Sequence, residues 1–350
     1  MRHIIFFSLV LSTCVVFAQE TPVVVELVQE ESPSDLRFEA TESAPYLTPE
    51  TAVDERYVRV DALFMKLGRG AAGQPVVIRT VDENFNSPGP TLISSNEVGR
   101  GRQTGPQITL GRLNGDGLGW EAAYFGLFGG SQSKTVTGDN DLAIPGALGL
   151  SSLDFFGSDI MTVTSSGELH SVEFNAQERG DFLTTLWGVR YLRTTDTLNI
   201  LSGDPDTSGS DYHVRSANNL YGAQLGLRHA RRGPTLGWDV TGKAGVFANS
   251  ASTDQYVTDS PNPNPVFYLR DPQGDATTTL AFVGEIDAGV TVQITSAVAF
   301  RAGYKLLWLD GVASASDQLD FNSPGPSTNS IETHGGMFLH GATAGLEARW

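Results

Sequence analysis

The sequence predicts an all-β protein: a closed antiparallel up-and-down transmembrane β-barrel of about ten strands. Three observations carry that prediction. Apolar residues recur with a period of two from Tyr57 to Trp350, the stretches that show it are about eleven residues long, and the links between them alternate between short and long. The candidate strands fall near 57–67, 106–113, 118–128, 168–178, 182–194, 218–230, 234–249, 279–293, 297–309 and 337–350. Short turns sit at Asn114-Gly115-Asp116-Gly117, Glu178 to Asp181, Arg231-Arg232-Gly233-Pro234 and Ile294-Thr295-Ser296. Long polar loops occupy about 68–105, 129–167, 195–217, 250–278 and 310–336. That layout is the one outer-membrane barrels use, with turns in the periplasm and loops outside. A twelve-strand count is the alternative, with Phe155 to Val163 as extra material.

The alternation is clearest between Leu280 and Ile294. Phe282, Ile286, Ala288, Val290 and Val292 share one face, whereas Glu285, Asp287, Thr291 and Gln293 share the other. A strand of about eleven residues rises roughly 36 Å, and a tilt near 40° leaves about 28 Å of height, enough for the ~25 Å apolar band of such barrels. Closure is needed because an open sheet edge in lipid would leave backbone N–H and C=O groups unpaired. A secreted soluble β-sandwich or barrel is the rival, since periodicity alone does not distinguish inside from outside. The membrane barrel is preferred because one face is apolar in almost every strand, while the opposite face carries charges of both signs.

The N-terminal 18 residues read as a signal peptide: Arg2 and His3, then the apolar Ile4 to Val16, then Val16-Phe17-Ala18 before Gln19. Cleavage there removes Cys14, the one cysteine, and with it any thiolate chemistry or disulfide. A lipoprotein reading, with Leu11-Ser12-Thr13 before Cys14, competes with it. From Gln19 to Arg56 there are ten acids, two arginines and four prolines, which reads as an acidic disordered periplasmic tail. The barrel then runs from 57 to 350.

Composition narrows the function. With 23 Lys and Arg against 40 Asp and Glu, the formal net charge is −17, and a nucleic-acid partner lacks the basic footprint it requires. No apolar run approaches the 18 or so residues of a membrane-spanning helix.

On this register the lumen-facing charges are Arg59, Asp61, Glu121, Glu173, Arg190, Arg228, Asp239, Lys243, Glu285, Asp287, Arg301, Lys305, Glu347 and Arg349. Seven cations face seven anions. A ten-stranded barrel is barely wider than one whose interior side chains fill, so paired charges and water are expected to bridge it. The lipid-interface aromatics are Trp120, Tyr124, Trp187, Tyr191, Tyr221, Trp238, Tyr304, Trp308 and Trp350, those near strand ends forming girdles.

Several stretches resemble a known family. They are Gln74-Pro75-Val76-Val77; Thr109-Leu110-Gly111 followed by Trp120-Glu121-Ala122-Ala123-Tyr124-Phe125; Gly188-Val189-Arg190-Tyr191-Leu192; Tyr221-Gly222-Ala223-Gln224-Leu225-Gly226; Ala302-Gly303-Tyr304 with Leu307-Trp308; Ser316-Asp317-Gln318; and His340-Gly341 to Trp350. From about Tyr57 to Trp350 the chain resembles the beta-barrel porin type 7 family of bacterial outer-membrane proteins. The resemblance implies an outer-membrane barrel and the name porin, and brings no substrate or catalytic residue with it.

Other motifs point to weaker sites. Phe85-Asn86-Ser87-Pro88-Gly89-Pro90 recurs as Phe321-Asn322-Ser323-Pro324-Gly325-Pro326, a paired surface docking element or a reused turn module. Asp204-Pro205-Asp206-Thr207-Ser208-Gly209 opens like a calcium loop, but its twelfth position is Arg215 rather than the bidentate Glu, so no metal is expected. A barrel-embedded hydrolase would draw on Asp211, His213, His334, Asp310, Asp317 and Asp320, or on His229 and His340 at the lipid face, yet no spacing sets a base on a nucleophile. The expected function is porin-like passive permeation of small solutes through a narrow charged lumen. The alternative is a structural or surface-interaction barrel with a closed, salt-bridged lumen. Neither role is enzymatic or uses a cofactor. The expected partners are outer-membrane lipid, the barrel-insertion machinery through the C-terminal strand ending at Trp350, and a surface partner at the two repeated loops.

Overall fold

A computed structural model describes residues 54–68, 73–80, 88–149, 155–203, 209–258, 268–321 and 330–350. The expected signal peptide and acidic tail before Asp54, Asp204 to Ser208, Phe85 to Ser87 of the first Phe-Asn-Ser-Pro-Gly-Pro copy and Asn322 to Pro326 of the second lie outside them. Pro49–Trp350 is one compact unit.

Twelve strands run in chain order: β1 (Glu55–Leu67), β2 (Pro75–Thr80), β3 (Pro88–Ser94), β4 (Arg102–Leu113), β5 (Leu118–Ala143), β6 (Phe156–Arg179), β7 (Thr184–Gly203), β8 (Asp211–Arg232), β9 (Leu236–Thr258), β10 (Tyr268–Gln293), β11 (Val298–Val312) and β12 (Gly335–Arg349). Ten of them close the wall. β1 pairs with β4 on one side and β12 on the other, and β4 to β12 follow one another antiparallel around the ring. Every edge of the wall is therefore paired. The closure of first strand on last aligns Tyr57 with Arg349 and Leu67 with Leu339.

β2 and β3 form a hairpin outside the wall sequence, joined to the far end of β5 through Ile78 opposite Ala143 and Arg79 opposite Leu142. The count of twelve thus arises from residues 75–94, and Phe155 to Val163 instead lengthens β6. Three of the expected loops are also largely strand. β5 and β6 continue to Ala143 and back from Phe156, β7 runs to Gly203, and β9 and β10 meet again at Thr258 and Tyr268. Polar stretches such as Ser131 to Asp141 lack an apolar face, so period-two patterning cannot reveal them; their hydrogen-bond ladders persist regardless.

Side-chain parity holds along most of these long strands, breaking at bulges after Leu127 on β5 and near the start of β10, but its polarity inverts. On β8, Leu225 and Leu227 point outward with Gln224 inward. Nearer its start, Tyr212 and Val214 point inward while His213 and Arg215 point outward. The lower part of the wall is apolar outside, and on most strands the upper part is apolar inside; β4, with Gln103 and Gln107 inward, is an exception. Hydrocarbon around the lower part and water around the upper part account for this switch.

Candidate functional site

The lumen is the candidate site, and it is filled in layers. At the end carrying the short turns, a cavity of about 260 Å³ is lined by Arg59, Arg179, Arg228, Arg232 and Arg349 together with Phe182 and Trp238. Glu55 closes one side of it, accepting from Arg179 (2.8 Å), Arg232 (3.1 Å) and Arg349.

Above this vestibule the lumen-facing charges form a chain of ion pairs from Arg228 to Asp239 and a separate Arg59–Glu347–Arg349 group, with Asp61 outside both. Twelve of the fourteen are buried; Arg228 and Arg349 are somewhat more open. Glu121 accepts from Arg228 at 2.7 Å and from the Tyr57 hydroxyl at 2.7 Å. Lys243 bridges to Glu173, which also accepts from Gln224 at 2.8 Å. Arg190 reaches Glu285 at 2.9 Å, and Lys305 pairs with Glu285 at 2.8 Å and Asp287 at 3.3 Å. Arg301, fully buried, holds Asp287 at 2.5 Å and Asp239 at 3.1 Å. Arg59 takes Glu347 at 2.9 Å, and Arg349 takes the same carboxylate. Asp61, buried at 2% exposure, is the one of the fourteen whose side chain makes no ion pair or hydrogen bond with another described residue. The space left among these charges is about 30 Å³, room for a water molecule or two.

The inner face is not uniformly charged. Directly above the ionic network, Leu63, Met65, Phe125, Leu127, Leu169, Leu192, Leu220, Phe247, Leu307 and Leu339 meet across the lumen, all buried, in an apolar septum. Phe125 is its lower boundary, with Lys305 Nζ 5.2 Å and the Arg190 guanidinium 5.6 Å from its ring. The signal lay in the register: Leu307, Leu309, Met337 and Leu339 occupy inward positions at the upper ends of their strands, and Val283 does so partway along β10.

A plug completes the filling. After β11 the chain crosses the lumen to β8 and β7, which stand three and four strands away round the wall. Asn218 holds the Ala313 backbone through both its amide groups (2.7 and 2.8 Å), and Asp196 accepts from Ser314 Oγ at 3.1 Å and the Ala315 amide at 3.0 Å. Arg100, buried, pairs with the other oxygen of Asp196 at 2.9 Å. A 3-10 turn over Ala315–Gln318 then leads to Leu319 and Phe321. These join Val76, Val77, Ile93, Leu142 and Tyr212 in a second apolar cluster across the upper mouth.

The interface aromatics all point outward. Trp120, Trp187, Tyr221, Trp238, Tyr304, Trp308 and Trp350 are exposed, with Tyr124 and Tyr191 partly covered by neighbours. Trp120, Trp187, Trp238 and Trp350 mark the turn end of the apolar belt; Tyr124, Tyr191, Tyr221, Tyr304 and Trp308 lie nearer its other end.

The candidate catalytic groups do not assemble. His213 Nδ1 lies 2.5 Å from Asn199 Oδ1 and stacks on Tyr256, and desolvation lowers its pKa. His334 pairs with Glu332, two residues away, while Asp320 binds Tyr212 through its backbone. His229 Nδ1 contacts the Phe182 carbonyl at 2.6 Å, and His340 Nδ1 lies 2.5 Å from the Tyr304 hydroxyl. Among the described residues no three His, Cys, Asp or Glu side chains could share a metal.

No curated protein matches the chain. Among solved structures it is similar to the outer membrane protease OmpT from Escherichia coli at 8% identity, covering 86% of this chain and 98% of that one, with a TM-score of 0.40. It is also similar to the Ralstonia pickettii toluene transporter TbuX at 12% identity, with 85% and 90% covered and a TM-score of 0.31. A Pseudomonas aeruginosa FadL homologue gives 8%, 85%, 90% and 0.25. Likenesses this distant carry no inference about what this chain does. The family described as "Putative beta barrel porin-7 (BBP7)" matches residues 57–350, which is the whole barrel, and the chain belongs to that family of porin-like outer-membrane β-barrels.

Proposed function

We propose that this protein sits in the bacterial outer membrane, with its short turns in the periplasm, as a barrel closed to solutes, and that its role is structural or interactive at the outer surface. The observation that carries this reading is the apolar septum from Leu63 to Leu339, stacked between a neutralised ionic network and a clamped plug. A hydrated ion crossing such a layer would shed water with no polar group to replace it. This favours the closed alternative over passive permeation, and it assigns the barrel no catalysis. Outer-membrane lipid contacts the belt, and the C-terminal strand ending at Trp350 engages the insertion machinery. The first Phe-Asn-Ser-Pro-Gly-Pro copy runs into the start of β3, in the hairpin joined to β5, and the second lies between the 3-10 turn and β12; each is offered as a docking element outside the cell, and the pairing of β1 with β12 does not by itself bring them together.

Two measurements test this. The refolded protein in planar bilayers is expected to show no stable porin-sized conductance steps; regular large steps would reject closure. All five tryptophans are on the outward face, so brominated acyl chains are expected to quench most of the emission and aqueous iodide little of it. The opposite ranking would reject the membrane location.

A further inference from the structure

We infer that the outer rim over β12, β1 and β4 is a built site for the phosphate of an outer-leaflet lipid headgroup. Lys66 on β1 stands directly opposite Arg102 on β4 and His340 on β12. Lys66 and Arg102 both point outward and are exposed, and neither has a carboxylate partner among the described residues. Like charges set face to face on neighbouring strands repel. Among the described residues no carboxylate offsets that repulsion.

The height of the row says where the missing anion comes from. On β1 the outward residues run Arg56, Val58, Val60, Ala62, Phe64, Lys66; on β4 they run Arg112, Leu110, Ile108, Pro106, Thr104, Arg102. Each strand carries its cations ten residues apart. At about 3.3 Å per residue and a tilt near 40°, that is about 25 Å along the membrane normal, the thickness of the apolar band. The lower pair, Arg56 opposite Arg112, has a carboxylate beside it: Asp54 lies 2.8 Å from Arg112. The upper pair has none. It also borders a groove of about 270 Å³, lined by Phe64, Thr104, Tyr304 and His340 as well as the two cations. The groove is wide enough for a headgroup, with an aromatic floor for the start of an acyl chain. Tyr304 holds the imidazole of His340 in place at 2.5 Å.

This site rests on the membrane reading but not on whether the lumen conducts. Its test is native mass spectrometry of the full refolded chain in zwitterionic detergent, titrated with phosphatidic acid, with phosphatidylcholine or with inorganic phosphate. Two cations near a lipid phosphate predict about thirtyfold tighter retention of phosphatidic acid than of phosphatidylcholine. Lys66→Gln with Arg102→Gln is expected to erase that preference while keeping heat-modifiable gel mobility, and Arg56→Gln with Arg112→Gln to leave it. Equal retention of the two lipids by the wild type, or an unchanged preference in the Lys66/Arg102 variant, would overturn the site. Full competition by inorganic phosphate would overturn its assignment to lipid. Failure of the membrane reading shows separately, as iodide-quenched tryptophans in the same preparation.

Discussion

Arg301→Met is expected to destabilise the barrel by about 3–5 kcal/mol, the cost of breaking a buried ion pair by removing one partner. The side chain is fully buried and holds carboxylates from two strands, Asp239 of β9 at 3.1 Å and Asp287 of β10 at 2.5 Å, with Thr343 of β12 at 3.4 Å. Methionine keeps much of the stem and removes the guanidinium. Asp287 then retains Lys305 at 3.3 Å, but Asp239 has no other ion pair among the described residues. A stranded buried carboxylate is what makes the loss large. Adding Asp239→Asn removes that charge and is expected to return the protein to within about 1–2 kcal/mol of wild type, since a neutral replacement for a buried pair is often tolerated. Urea titration in phospholipid vesicles, with the folded fraction read from gel mobility before heating, measures both. If Arg301→Met stayed within about 0.5 kcal/mol of wild type, the range of ordinary surface changes, or if the second substitution made matters worse, the idea that these charges neutralise one another inside the wall would be wrong.

Gly111→Ala places a Cβ 2.1 Å from the Tyr57 ring opposite it and must push the phenol away from Glu121, at a cost of about 1–3 kcal/mol; an equal cost in a Tyr57→Ala background would show that the ring is not the cause. At the upper end of β8, burial pushes the Asp211 carboxyl from its ordinary 3.8 up to about 6. Between those values the folded protein keeps a proton that the unfolded chain has released, so this end loses stability as pH rises through that window. His213 beside it, with a lowered pKa, acts in the opposite sense, so the difference between proteins is the readout: amide exchange at the β7–β8–β9 ends, corrected for intrinsic rates, should be slowed by Asp211→Asn at pH 7 relative to pH 4 when compared with the wild type. A wild type and an Asp211→Asn variant with the same pH 4 to pH 7 ratio of exchange rates would refute the assignment.

The sites of the ten wall strands were legible because lipid makes a simple demand on each strand separately: Phe282, Ile286 and Val290 alternate with Glu285, Asp287 and Thr291 whatever the other nine strands do. The same parity placed the fourteen charges on the inner face. What escaped the reading was the part of the structure that no single strand specifies. Above the belt the outer face meets water, so β5 carries Ser, Thr, Gly and Asp on both sides and looks like loop, although its ladder with β6 continues. The inward leucines at the upper strand ends were visible one at a time as exceptions to a charged face.

By itself the sequence determined the period-two register, the alternation of turns and long links, and the balance of inner charge, all of which depend on residues close in the chain. Only the tertiary structure decided what fills the lumen. Leu63 and Leu339 lie at opposite ends of the chain, and the Ala313 backbone finds Asn218 three strands away. Such contacts follow from closing the ring, because ring closure brings strand ends that are distant in sequence to one height around one axis.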